Sequence, residues 1–259
     1  MEDYYEKTDH LTTDLSWNLP ERRQGSINII GGHAGRFNAT IKISEFVAGK
    51  YPLEEIHTVL PDDLKSKLPN LPNFTFLPST DAGSFADADE ITKAIDSADY
   101  SLLLGDFSKN SITARALAAA VKEASHPLLL TRDTVDLVAE ASPDAILMKE
   151  NIVYLASLPQ LQKLLRAVYY PKMLMLSAPL TQITEILHKF TLSYPAHIIT
   201  LVGDQILLAE DGLVRAVPLE KSGYLPFTFW SGELAAKVAV MNLYSPHRFL
   251  DATTTAIFT

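Results

Sequence analysis

The feature that most restricts the fold of this chain is an alternation running from Ser26 to Leu192. Short apolar runs bounded by Gly, Pro, Asp or Asn occur at residues 26–30, 56–60, 100–104, 127–131, 145–148 and 173–176. Continuous runs of this kind predict strands buried on both faces. Between them lie stretches of helical spacing at 37–49, 87–97, 111–124, 133–141, 159–167 and 179–192. Asn110 and Asp133 suit helix caps, and Pro159 and Pro179 suit a first helical turn. Strand followed by helix, repeated, leaves right-handed βαβ crossovers as the economical solution, giving a mostly parallel sheet with helices on both faces.

The pattern then changes. Three short β-like runs at 197–202, 205–209 and 213–217 are separated by Gly203-Asp204 and Asp211-Gly212, pairs that read as tight turns. A helical stretch at 231–243 and another from Pro246 close the chain. The sheet is therefore expected to be mixed, with an antiparallel edge. At 259 residues and 47% hydrophobic content the chain can bury one large core. No linker or repeat interrupts it, so one domain over 20–259 is expected behind an N-terminal arm, 1–19, whose Tyr4, Tyr5 and Trp17 suit a clasp on a neighbour.

Composition removes several function classes. The 22 basic against 31 acidic side chains leave a net charge of −9, which argues against a nucleic-acid surface. The absence of cysteine excludes disulfide frameworks, thiolate metal sites and a cysteine nucleophile. None of the seven histidines forms an i, i+4 pair, so no metal centre is expected. The acidic start, MEDYYEKTDH, is no secretory segment, and no run of about 18 apolar residues occurs, so a cytoplasmic location without a membrane partner is expected.

Two segments could carry chemistry. In Ile29-Ile30-Gly31-Gly32-His33-Ala34-Gly35 a buried run enters a glycine-rich turn and then a helix, where backbone amides can approach an anion; simple chain reversal explains the glycines equally. The spacing is not that of a dinucleotide-binding fingerprint. In Thr228-Phe229-Trp230-Ser231-Gly232-Glu233-Leu234-Ala235, Ser231 suits an N-cap and Glu233 sits at the positive end of a helix, where it could act as a base or simply cap. Phe229 and Trp230 suit core packing or stacking on a ligand ring. Asp133 follows a strand at the edge where open α/β sheets bind ligands, and helix capping is its alternative role. The acidic stretch 81–90 reads as a solvated loop, and the small-residue tract 117–121 suits packing on the sheet or on a second subunit of a homo-oligomer.

Taken in order, these segments resemble the ribokinase-like superfamily, and most of all the ADP/ATP-dependent NAD(P)H-hydrate dehydratase family. Arg22-Arg23-Gln24-Gly25 leading through residues 27–30 to Gly31-Gly32-His33, then Phe37 and Asn38-Ala39, is similar to that family's H-K-G-x-x-G, G-G-S, Tyr and G-A sequence. Gly105 to Lys109 falls where the family has G-P-G-L-G, residues 129–137 where it has V-L-D-A-D-A-L-N-L, Leu201-Val202-Gly203 on its L-K-G, and Thr228 to Ala235 on its T-G-G-T-G-D-V-L. The resemblance implies a three-layer α/β/α sandwich with a mostly parallel central sheet and an antiparallel edge. It also implies a lyase that uses ADP or ATP with Mg2+ to dehydrate NADHX or NADPHX. Glu233 would be its base; Val202, Gly203, Thr228, Ser231 and Gly232 its nucleotide side; Gly32, His33, Asn38, Ala39, Gly105, Asp106 and Asp133 its substrate side.

The departures define the alternative. Phe229 and Trp230 replace two glycines, Glu233 replaces an Asp, Val202 replaces a Lys, and Lys149 to Val153 bears no likeness to the family's T-P-H-P-G-E. A scaffold that has kept the fold and serves as a ligand-binding or interaction module accounts for them.

Overall fold

The computed structural model describes residues 3–69, 71–141 and 143–259. Its strands are β1 (Tyr5–Lys7), β2 (Ser26–Gly31), β3 (Glu55–Pro61), β4 (Phe74–Leu77), β5 (Tyr100–Gly105), β6 (Leu128–Thr131), β7 (Ile152–Leu155), β8 (His197–Val202), β9 (Gln205–Glu210) and β10 (Leu213–Pro218). Its helices are α1 (Asn38–Lys50), α2 (Ala88–Asp96), α3 (Ser111–Glu123), α4 (Asp133–Ala141), α5 (Pro143–Leu147), α6 (Leu158–Ala167), α7 (Leu180–Ser193), α8 (Glu233–Tyr244) and α9 (Phe249–Phe258).

All ten strands form one sheet in the order β1-β10-β9-β8-β7-β6-β5-β2-β3-β4. Among the named strands of the described residues, only the β8–β9 and β9–β10 pairs are antiparallel, as the two turn pairs required. Residues on each strand alternate between two cores. Ile27, Ile29, Leu102 and Leu104 face a core shared with α1, α8 and α9, whereas Ile30, Leu103, Leu128 and Leu130 face one built with α2 to α7. That period of two is the pleat of a sheet covered on both sides. The expected three-layer α/β/α sandwich with an antiparallel edge is therefore the observed architecture.

Two expected strands are corrected. Residues 145–148 fall in α5 and the turn after it, because Pro143 fixes a first helical turn and Ile146 and Leu147 point into the core from a helix; the strand is the next apolar run, β7. Residues 173–176 are irregular, with Leu174 buried while Met173, Met175 and Leu176 are exposed. β4 was not anticipated. The chain's start also joins the sheet: β1 pairs in parallel with β10, and Arg215 reaches both Glu6 and Asp251.

Strand order places the functional region. From β2 the chain moves outward to β3 and β4, then returns to lay β5 on the other side of β2 and continues outward through β6, β7 and β8. The carboxyl ends of β2 and β5 thus flank a topological switch point, where open α/β sheets form their ligand crevice.

Candidate functional site at the switch point

At the carboxyl end of β2 the register shifts between Ile30 and Gly31, and the chain enters the glycine turn. Gly31 is needed for close approach: a Cβ there would stand 2.7 Å from the Gly105 carbonyl and 3.0 Å from Thr40 Oγ1. Gly32, at φ +89°, donates its amide to the Gly105 carbonyl (2.9 Å) and starts the turn in which His33 and Arg36 pair through their backbones. His33 accepts the Gly35 amide on Nδ1 at 3.1 Å, so its ring serves its own loop. The amide of Ala34 donates to Gly83 at 2.8 Å, which brings the acidic 81–90 loop onto the same edge. Asn38 and Ala39 open α1, and no side chain of its N-cap residue, Phe37, closes that helix start.

The corner between β5 and β6 is the most constrained part. Asp106 and Arg132 both take left-handed conformations, φ +61° and +56°, which non-glycine residues adopt at a cost and which concentrate at functional positions. The Arg132 guanidinium donates to Asp106 Oδ1 at 2.6 Å, and the Asp106 amide donates to Asp133 Oδ1 at 2.7 Å. Burial pushes the Asp133 carboxyl up, reinforced by the Asp106 carboxylate and opposed by that amide. Gln160 ties the corner to α6 by donating to the Arg132 carbonyl at 2.5 Å and to Asp136 at 2.8 Å. A pocket of about 270 Å³ opens beside Asp133, with Lys109 and Lys163 on its walls and Ser111, the first residue of α3, at its end.

The start of α8 lies at the same edge, against Leu104 at the end of β5. Its N-cap is Gly232 at φ +102°, not Ser231 as the capping preference suggested; the Ser231 hydroxyl is only 3.4 Å from the Glu233 amide. Glu233 turns along its own helix toward Lys237, 3.8 Å away, and its side chain is 44% exposed. Phe229 is 1% exposed and meets Tyr224 and Trp230 edge to face, so the core-packing alternative describes it. Thr228 bonds within its own turn, to Leu225. Val202 ends β8, and Gly203, at φ +60°, faces open space in the β8–β9 turn.

The structure thus brings Gly32, Gly105, Asp106 and Asp133 together at the switch point, with Asn38 and Ala39 beside them on α1. Several of the glycines are filled by the chain itself. A Cβ on Gly105 would stand 2.3 Å from Asp133 Oδ1, and one on Gly232 would stand 2.6 Å from Leu104. Arg132, Gln160 and Lys237 were not foreseen. Only the Glu233–Lys237 spacing was available in the sequence.

Among the described residues no group of three His, Cys, Asp or Glu is placed to hold a metal ion. The residues present therefore do not fit a protein-held Mg2+. At this edge Gly232 and the Ser231 hydroxyl stand before α8, and Val202 ends β8.

No protein-family model matches the chain, and no curated protein does. Solved structures do. A ribokinase-like superfamily protein from Enterococcus faecalis superposes with a TM-score of 0.65 at 12% identity, covering 100% of this chain and 86% of that one. An ADP/ATP-dependent NAD(P)H-hydrate dehydratase from Bacillus subtilis, co-crystallized with ATP/Mg2+, gives 0.57 at 15% identity over 93% and 82%. An ADP complex of Bacillus subtilis pyridoxal kinase gives 0.50 at 12% over 90% and 88%. With these likenesses, the switch-point crevice and the helix start beside it, the chain has the ribokinase-like fold.

Proposed function

We propose that this protein binds a small molecule at the switch point and a nucleotide, ADP or ATP, at the start of α8, without dehydratase turnover. The observation that carries the reading is the Asp106–Arg132–Asp133 corner. Strained backbone and a desolvated carboxylate stand beside a pocket of about 270 Å³ with two lysines on its walls. Asp136 holds Lys163 and Glu140 adds a third carboxylate, so a ligand that fits this lining places a hydroxyl on Asp133 and an anionic group on Lys109. Retained chemistry is disfavoured by the Glu233 carboxylate lying along α8 toward Lys237 and by Val202 in place of a phosphate-reaching cation.

A second reading, the dehydratase-like lyase acting on NADHX or NADPHX, is supported by one feature: the α8 start, with its left-handed glycine and carboxylate, stands at the carboxyl edge where the resemblance puts the base. In that reading Glu233 leaves Lys237 and takes a proton from the substrate hydroxyl.

The test is thermal melting with ADP or ATP and magnesium, combined with recovery of NADH absorbance from fresh NADHX. A nucleotide-dependent rise without NADH recovery is expected. No rise with either nucleotide overturns the binding reading. Recovery that is lost in Glu233→Gln establishes the lyase instead.

A further inference from the structure

A pocket of about 240 Å³ opens on the edge of the sheet opposite the switch point, among the amino ends of four parallel strands. Tyr100 begins β5, Pro127 precedes β6, Asn151 precedes β7 and His197 begins β8. The remaining wall is the end of α8, which contributes Asn242 and, past its last turn, His247. His247 holds a left-handed backbone, φ +62°, a conformation that non-glycine residues adopt at a cost and that concentrates at ligand sites. Among the described residues no three metal-ligating groups converge, so the two histidines belong to no metal centre.

The solvent-accessible polar groups here are mostly acceptors. Asn151 commits its side-chain nitrogen to the carbonyls of Ser125 and His126, 3.0 and 2.8 Å away, and Asn242 commits its own to the Val238 carbonyl at 2.9 Å. The free end of each amide is therefore its oxygen, which receives no donor from the described residues. The exposed Glu150 carboxylate likewise has no partner among them. The end of α8 adds the negative pole of a helix. No lysine or arginine lines the pocket. The two nearest in sequence are engaged: Lys149 with the carbonyls of Lys122 and Ala124, Arg248 with Asp251. His197 adds no positive charge, because burial pushes its pKa down against the pull of Asp211. Its ring is fixed by stacking on Phe249 at 4.6 Å, with Nε2 3.2 Å from Glu210. Tyr100 and Val153 supply an apolar floor.

We propose that this pocket binds a small organic cation of primary-amine type, its ammonium on the Glu150 carboxylate and the two asparagine carbonyls and its methylene carbons on the Tyr100 and Val153 floor. An ammonium group has three donors and no acceptor, which complements such a lining. The site is independent of the nucleotide reading above: it shares none of the residues assigned there and lies at the other edge of the sheet.

The test is titration calorimetry in an amine-free buffer of low ionic strength at about pH 8, above the ordinary range of histidine. The probe is butane-1,4-diamine, with butane-1,4-diol as its uncharged counterpart. A chain of net charge −9 attracts any amine weakly, so the readout is the difference between variants. The diamine should bind saturably to the unmodified protein, and the diol should not. Glu150→Gln changes an exposed side chain and leaves the fold intact; it should weaken the diamine about 5-fold, the upper end for an exposed charge. Glu150→Lys should abolish binding. Glu45→Gln, which removes an exposed carboxylate from α1, outside the pocket, should bind as the unmodified protein does. The melting response to ADP should be the same in every variant, so it reports on the nucleotide reading separately. Absence of saturable binding, equal binding of the diol, an equal loss in Glu45→Gln, or Glu150 variants that bind as the unmodified protein does would each overturn the proposal.

Discussion

Two corners of the same sheet edge treat their polar groups in opposite ways. Between β5 and β6, polar groups are committed to one another: Arg132 to Asp106, the Asp106 amide to Asp133, Gln160 to the Arg132 carbonyl, on backbone held in left-handed conformations. At the start of α8, order comes from apolar packing, with Phe229 in the core and Leu104 against Gly232, while the carboxylate sits half-exposed beside Lys237. The contrast separates a corner that costs stability from one that supplies it. A desolvated, strained corner costs stability and persists only when the surroundings over-determine it, whereas a packed helix start stabilises the fold whatever its chemistry.

The largest test of this contrast is Phe229→Ala. A cavity at a 1% exposed aromatic should cost about 3–5 kcal/mol in urea unfolding. A loss below ~1 kcal/mol would mean that the ring supports nothing and is free for a ligand. Gly105→Ala comes next, at about 2–3 kcal/mol, because its φ of +98° strains any L side chain and its Cβ would meet the Asp133 carboxylate. Asp133→Asn reverses the sign. The raised folded pKa of Asp133 means that stability present below the ordinary value of 3.8 is lost as pH rises through the folded value. The Asn variant, which keeps the acceptor for the Asp106 amide, should therefore be about 1 kcal/mol more stable than the unmodified protein at pH 7 and no more stable at pH ~3. Unchanged stability at both pH values would show that the corner stores no electrostatic cost. Glu233→Gln should change stability by less than ~0.5 kcal/mol, as expected for a half-exposed group; a larger loss would make the Lys237 contact structural.

Legibility in the sequence followed the physics of each element. Runs such as 100–104 were readable because a strand buried on both faces must be continuously apolar. The run at 145–148 was misassigned because four apolar letters suit a short helix equally; the arbiter was Pro143, which fits a first helical turn. β4, with Phe74 and Phe76 half-buried and Thr75 exposed between them, carries the alternation of a one-sided strand and could have been found by it. At the switch point, Asp133 was identifiable from its place after a strand, and Gly105 and Asp106 from the resemblance. Their convergence on β2 was not, because strand order is a tertiary property. Arg132 gave no signal: left-handed backbone at an arginine follows from the geometry of the corner, not from propensity.

The parallel pairing of β1 with β10 bears on how the molecule is made. Glu6 and Arg215 are 209 positions apart, so β1 has no docking site until β10 is in place beside β9. Closing so long a loop is entropically slow, and it makes the far margin of the sheet a seam sealed late in folding.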